Sequence, residues 1–481
     1  MSKGRATGLA LAAALGLAGC APPPPLAAAA ALGLQATSAT TWPAEAWWRD
    51  FGDPALTALI ERALAGQPGV LQAQARAQQA AAAAGQAEAA QAPRVDLSDQ
   101  LDRQRFTERG LVPPAFAGAA RWTHDLRLGA SWELALFGRQ RAALDAAIGR
   151  QRAAEADAQA ARVLLAAQVA GRWFALAHHL EQQRLAAREL ARREQLLALV
   201  HQRVAAGLDD AATLHQAESG LAEARAEQPV RAAAVAHERH ALAELSAQPA
   251  TALQSAAPAL ATLPARPWPD RLGADLLGRR ADLVAQRWRV EAAWRDVDLA
   301  RGQFYPDINL VAFVGLSSLG LDQLLDLRGR TWGAGPALRL PVFDGGRLRA
   351  QLAQRGAEAD AAVDGWNATL LRALREVADE TTSLQALQHE QAAQQQALAA
   401  AEAGLRLARQ RRQAGLASQL SVLAAEADVI ARQQVAAGLK ARRLTGEVAL
   451  IRALGGGYGG GYGGGPGPGA DGSTNLPHRP S

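Results

Sequence analysis

Three clusters in this chain carry side chains of the kind that perform chemistry, and each fails on its spacing. His237-Glu238-Arg239-His240 places two imidazoles and a carboxylate on a helical stretch, as zinc hydrolases do. A zinc helix, however, needs its histidines four apart with two residues after the glutamate, and these are three apart. Gly315-Leu316-Ser317-Ser318-Leu319-Gly320 sets hydroxyls between glycines, but it is one residue too long for a nucleophile elbow and ends a strand without opening a long helix. His178 and His179 are adjacent, so on a helix they point about 100° apart and do not share an ion. The tail from Gly455 to Gly465 lacks the Lys-Ser/Thr of a phosphate loop and reads as a flexible end. No catalytic residue, cofactor or metal ligand is therefore expected, and the chain does not read as an enzyme.

Cys20 is the only cysteine, so it has no internal disulfide partner. Lys3 and Arg5 precede an apolar run from Ala6 to Ala18, which reads as a secretory signal peptide over residues 1–19, too short to span a bilayer. Leu17-Ala18-Gly19-Cys20 resembles a bacterial lipobox, in which the thiol takes a fatty-acyl anchor and becomes the first mature residue. A chance cysteine or an intermolecular disulfide are the alternatives. Ala21 stands where bacterial lipoproteins kept at the inner membrane carry Asp, which favours the outer membrane, and residues 20–50, with Pro22 to Pro25, read as a tether.

The chain has 481 residues, 49% hydrophobic and 20% charged, enough apolar material for a large core. Its formal charge of +5 comes from 51 basic residues interleaved with 46 acidic ones, as in Arg188-Glu189 and Arg193-Glu194. That pattern describes solvated helix faces and gives no reason to expect nucleic acid as a partner.

The elements that must position any functional residue are clearer than the residues themselves. From Trp122 the even positions read Trp122, Leu126, Leu128, Ala130, Trp132, Leu134 and Leu136, with His124 as the polar break, and the odd ones are mostly polar or small. A second run places Trp332, Ala334, Leu338, Leu340 and Val342 on one face. Period two means strand, with one apolar and one polar face. Each run closes a hairpin, 95–137 and 305–343, and leads into an Ala-, Gln-, Arg- and Leu-rich helical tract.

The halves align by position, since 347 − 139 for Arg139 and Arg347 and 415 − 207 for Gly207 and Gly415 both give 208. Upstream of the hairpins, Pro93 and Pro306 differ by 213, so the first hairpin is five residues longer. One unit, helix, hairpin, long helix, turn and helix, is present twice. The divisions predicted are a first repeat over 51–247 with its long helical pair at 138–247, and a Pro-rich connector over 248–272. A second repeat over 273–454 has its helical pair at 346–454, and the flexible tail covers 455–481.

A helix from Gly346 to Gln413 is on the order of 100 Å long, which suits helices packed side by side in coiled-coil fashion. Gly356, Gly365 and Gly404 read as kinks, close approaches or tolerated defects. Four strands cannot close a barrel, and an open edge in hydrocarbon strands backbone polar groups at several kcal/mol each. Several copies must therefore share one barrel, with the polar faces lining a wet interior. Trp122, Trp132 and Trp332 suit membrane-interface belts, ordinary packing being the alternative for each.

Several stretches together resemble the TolC-like outer-membrane efflux proteins, most closely the NodT-type lipoprotein branch. They are Trp47-Trp48-Arg49-Asp50-Phe51-Gly52-Asp53-Pro54, Ser131-Trp132-Glu133-Leu134 through Phe137-Gly138-Arg139, and Phe304-Tyr305-Pro306. Pro341-Val342-Phe343-Asp344-Gly345-Gly346-Arg347 and the terminal Arg452-Ala453-Leu454-Gly455-Gly456-Gly457 complete the set. The resemblance implies a mainly α fold with a transmembrane β-barrel part. It implies a homotrimer whose protomers give four strands each to a twelve-stranded barrel continuing into a long periplasmic helical tunnel. It implies the passive exit duct of a tripartite pump for toxic compounds, joined by a periplasmic adaptor to an inner-membrane transporter, usually of the resistance-nodulation-division type. In that family the helical tips meet the adaptor, and here they correspond to Gly207 with Leu208 and Gly415 with Leu416.

Family members narrow their periplasmic entrance with an Asp before a Val-Leu pair. The position is Ser421 here and its repeat counterpart is Thr213, which leaves Asp209 and Asp210 as the nearby acidic gate candidates, or as plain helix-start carboxylates. The family's Asp after Trp-Glu-Leu is replaced by Ala135. A duct for protein secretion and a lipid-anchored periplasmic coiled-coil scaffold without a pore are the alternatives; the four alternating strands argue against the scaffold.

Overall fold

A computed structural model of the chain describes residues 43–111, 113–264, 278–320, 323 and 325–458. Cys20, the signal peptide, the proline tether, part of the connector and most of the glycine tail lie outside the described residues.

The first ordered element is a short 3-10 helix, Trp47–Phe51, followed by α1, Pro54–Gly66, and α2, Pro68–Ala89. Their boundaries follow from side-chain capping. The Asp53 carboxylate accepts from the amides of Ala55 and Leu56 at 2.9 and 3.1 Å, and Pro54 fills the first helical position. Gln67 and Pro68 repeat the device one helix later, Gln67 accepting from the Val70 amide at 3.1 Å. These elements lead to β1, Arg94–Arg105, and β2, Ala120–Glu133, and then to α3, Arg139–Ala205, and α4, Ala211–Leu245. The second half supplies α5, Ala281–Gly302, β3, Asp307–Leu319, β4, Arg330–Arg339, α6, Arg347–Gln413, and α7, Gln419–Ala453. α3 and α6 are both 67 residues long, and α4 and α7 are both 35.

Where boundaries differ from the sequence-based expectation, the reason is local. β4 stops at Arg339, so Leu340 and Val342 lie outside the strand, and Pro341 has no N–H with which to continue the ladder. Gly356, Gly365 and Gly404 have open space around them within the protomer, so the close-approach reading is not realised there.

All four strands form one antiparallel sheet in the order β1-β2-β3-β4. The register pairs Leu97 with Leu128, Leu128 with Val314, and Val314 with Trp332, so the apolar positions of four strands share one face. Ser98, Arg127, Gly315 and Thr331 are paired in turn on the other. β1 and β4 are free edges within the protomer.

The main core gathers around the middle of α3. Phe174, Leu176 and Leu185 are fully buried there, with Trp47, Phe51, Leu56 and Ile60 from the N-terminal elements, Leu242 from α4 and Leu444 from α7. Phe51 packs on Phe174 with ring centroids 5.0 Å apart, and the Trp173 indole N–H donates to Asp53 at 2.7 Å. The same carboxylate thus caps α1 and ties it to α3. Elsewhere the interhelical faces are largely alanine, including Ala142, Ala146, Ala153 and Ala156, which lets backbones approach closely.

Helix ends repeat in detail. Leu208 and Leu416 donate their amides to the carbonyls of Arg203 and Arg411 at 2.9 and 2.8 Å, and Gly207 and Gly415 take φ of 70° and 73°. This six-to-one bond with a left-handed residue is a Schellman ending. α4 ends the same way, with Gln248 donating to Ala243 at 2.8 Å, but its left-handed position is Ala247, with φ of 51°, where α7 has Gly455. An L-residue there costs about 1–2 kcal/mol, partly offset by glycine's greater freedom when unfolded. Ala247→Gly should therefore stabilise the protomer by about 0.5–1 kcal/mol in chemical denaturation. Gly455→Ala should destabilise it, because the new methyl meets the Arg279 carbonyl oxygen at 2.6 Å.

Candidate functional site: two strand faces and two helical tips

The sheet presents its apolar face outward without cover. Val95, Leu97, Val314 and Leu338 are all exposed, and Trp332 is 79% exposed. Trp132 stays at the helix end of the sheet, its indole N–H donating to the Gln91 carbonyl at 2.9 Å, while Trp122 lies beneath the Arg103 guanidinium near the opposite loops. The three tryptophans therefore sit on one exposed face near both of its ends and in its middle, not in the core.

His124, the break in the alternation, is buried and bonded to Asp99 at 2.7 Å across the β1–β2 pair. Its polarity on the apolar face is matched by a partner on the same face. The opposite face carries Asp125, Arg127 and Ser131, with the Arg127 guanidinium 5.1 Å from the Phe313 ring.

At the strand-to-helix junction, Arg139, the first residue of α3, pairs with Glu133 at the end of β2 and with Asp307 at the start of β3, the latter at 3.2 Å. The second junction uses a different device. Asp344 accepts from the amides of Gly346 and Leu348 at 3.0 and 2.8 Å and caps α6, and those bonds to the carboxylate hold its pKa below the usual carboxylate range.

The two helical turns lie at the ends of α3 and α6 remote from the sheet. Leu208 and Leu416 project beside their glycines, 65% and 79% exposed. The gate candidates beside them have local partners. Asp209 receives two hydrogen bonds from Arg203, at 2.7 and 2.9 Å, and its pKa is lowered by them. Asp210 is the N-cap of α4, accepting from both the amide and the hydroxyl of Thr213, which lowers its pKa as well. Ser418 caps α7 in the equivalent way, and the Ser421 hydroxyl donates back to the Ser418 carbonyl at 2.6 Å. Thr213 and Ser421 thus hold matched first-turn positions, and both carboxylates are engaged within the tip. The Arg203–Asp209 pair leaves no local mark in the sequence because six residues separate the partners and the turn at Gly207 lies between them.

Replacing Gly207 or Gly415 by valine forces a β-branched residue to positive φ, at a cost of order 1–3 kcal/mol confined to the turn. The variants should lose about that much stability in chemical denaturation while the helical content read by circular dichroism is unchanged.

Two members of the His237–His240 cluster have structural partners. Glu238 pairs with Arg172 at 3.3 Å, and Arg239 donates to the Ala256 carbonyl at 3.0 Å. The His178 and His179 rings lie 5.4 Å apart on α3, closer than their divergent directions suggested, and burial holds the His178 pKa below its ordinary value. Among the described residues no three His, Cys, Asp or Glu side chains come together as a metal site. No described helix is long and apolar enough to cross a membrane.

The family model described as "Outer membrane efflux protein" matches residues 59–248 and 272–456. The multidrug resistance outer membrane protein MdtP of Escherichia coli K12 is 31% identical over 425 residues, 87% of each chain. The fusaric acid resistance protein FusA of Burkholderia cepacia is 35% identical over 316 residues, 65% of this chain and 59% of that one. Among solved structures, the outer membrane protein VceC of Vibrio cholerae superposes with a TM-score of 0.78 at 35% identity, over 87% of this chain and 100% of its own. Uncovered strands at one end of long paired helices are the shared architecture, and the chain belongs to the outer membrane efflux protein family, whose TolC-like members form ducts across the outer membrane.

Proposed function

We infer that the protein is the passive outer-membrane duct of a tripartite efflux pump, assembled as a homotrimer. Three protomers close their four-stranded sheets into a twelve-stranded barrel, and their helices form the periplasmic tunnel. The observation that carries this is the sheet itself: two unpaired edges and one uncovered apolar face in a single protomer. A periplasmic adaptor meets the tips at Gly207-Leu208 and Gly415-Leu416 and joins the duct to an inner-membrane transporter of the resistance-nodulation-division type. The substrates are small toxic compounds, the class named for MdtP and FusA. Passage is diffusion through a wet tunnel and involves no catalytic step.

At the entrance, Thr213 and Ser421 present hydroxyls, while Asp209 is paired with Arg203 and Asp210, held ionised as the cap of α4, keeps its negative charge. Cys20 carries the lipid anchor; Cys20→Ser should abolish labelling by a radioactive fatty acid, and persistent labelling would refute it.

Unboiled detergent extracts should show a heat-sensitive species near three times the monomer mass, and a strain lacking the gene should become hypersensitive to several drugs. A monomer under mild detergent conditions contradicts the duct. Unchanged drug sensitivity with lost export of a secreted protein favours the secretion reading.

A further inference from the structure

The two tips occupy matched positions, 208 residues apart, yet carry opposite charge. Positions 198–210 hold one cation, Arg203, and two carboxylates, Asp209 and Asp210, and the cation is already bound by Asp209. Positions 406–418 hold Arg406, Arg409, Arg411 and Arg412 and no carboxylate. Ala198, His201 and Val204 of the first tip become Arg406, Arg409 and Arg412 in the second, while Asp209 becomes Ala417 and Asp210 becomes Ser418. All four arginines are exposed. Arg409 reaches Glu426 at 3.6 Å, and among the described residues Arg406, Arg411 and Arg412 have no ion pair.

A helix C-terminus favours a nearby cation, which explains one arginine in the last turn. The first tip meets that need with Arg203 and then cancels it. The second keeps three more like charges close together, where they repel one another until an anionic surface arrives. Around them the turn offers exposed Leu416 and Leu407, so an apolar contact ringed by cations is presented.

We propose that each protomer presents two kinds of docking tip, alternating around the trimer, and that the 406–418 tip receives a helical end of the periplasmic partner rich in Asp and Glu. The 198–210 tip, where Arg203 is already paired with Asp209 and Asp210 keeps its charge, offers no such basic surface. This rests on the duct reading above and specifies the partner's chemistry at one of its two tips.

The test uses full-length protein in cells lacking the chromosomal copy, with ethidium accumulation as the readout and the unboiled trimer band as the assembly check. Arg411→Glu with Arg412→Glu places like charge against the acidic partner, so accumulation should rise to within about twofold of the deletion strain while the trimer persists. Arg411→Gln with Arg412→Gln should fall between, and it decides the matter if the reversed pair fails to assemble. Arg349→Glu with Arg372→Glu, the same charge change elsewhere on α6, should stay within about twofold of wild type. Wild-type efflux by both tip variants overturns the proposal, as does an equal loss from the control pair. Equal accumulation in wild-type and deletion strains instead removes the duct reading and this inference with it.

Discussion

Val314→Arg is expected to prevent assembly of the barrel, whereas Val311→Arg, three residues away on the same strand, should be tolerated. Val314 is 54% exposed and sits between Leu128 and Trp332 on the apolar face. A guanidinium at mid-membrane on a lipid-facing strand costs about 2–4 kcal/mol. The trimer carries that cost three times. Val311 is 39% exposed but lies on the opposite face, between Ser131 and Gly335, where an arginine meets the wet interior. Recovery of heat-sensitive trimer from the outer-membrane fraction separates the two. Equal loss from both variants, or a greater loss at Val311, would show that the lipid-facing side has been assigned the wrong way round.

Arg280→Met should strongly destabilise the helical part. Arg280 is 6% exposed and links three elements: its guanidinium bonds Asp282 at 3.0 and 2.7 Å, Glu376 of α6 at 2.9 Å, and the Ala453 carbonyl at the end of α7 at 3.0 Å. Removing a buried partner leaves the others uncompensated, which costs about 3–5 kcal/mol when all are buried. Asp282 is partly solvated and recovers some of that, so about 3 kcal/mol is expected. Burial pushes the Asp282 pKa up, but the hydrogen bonds and charge of Arg280 outweigh it and hold it low. A carboxylate depressed in the folded state stabilises above its unfolded pKa and loses that contribution as pH falls through the folded one. The variant and wild type should therefore converge in thermal stability toward strongly acidic pH. A melting temperature unchanged at neutral pH would mean that the junction is held by Leu283, Leu374 and Leu450 alone.

Periodicity and punctuation carried most of the architecture. Alternation from Trp122 placed β2 and its faces, and Gly207 with Gly415 marked both turns. Each of these is a local signal, the turns decided within a few residues and the alternation within one strand. Contacts spanning the chain left no such trace: Arg280 and Glu376 are 96 residues apart, and Arg139 and Asp307 are 168 apart. The roles of the acidic tip residues were legible only in part. Asp210 three positions before Thr213 is a recognisable cap, but the pairing of Asp209 depends on how sharply the chain reverses. The end of β4 was overrun because Leu340 and Val342 continue the alternation, although Pro341 between them forbids the ladder.

α3 and α6 each run unbroken from the sheet to a tip, on the order of 100 Å at 1.5 Å per residue, and this makes them levers. A tilt of about 5° at the strand junction carries the far end about 9 Å sideways, wide enough to change an aperture from shut to passable without breaking one bond in the helical ladder. The energy that resists such a swing lies in the small alanine contacts and ion pairs between neighbouring arms, not in the arms themselves. A partner pressing on the tips works at the long end of the lever, where modest force per contact yields the largest mechanical advantage.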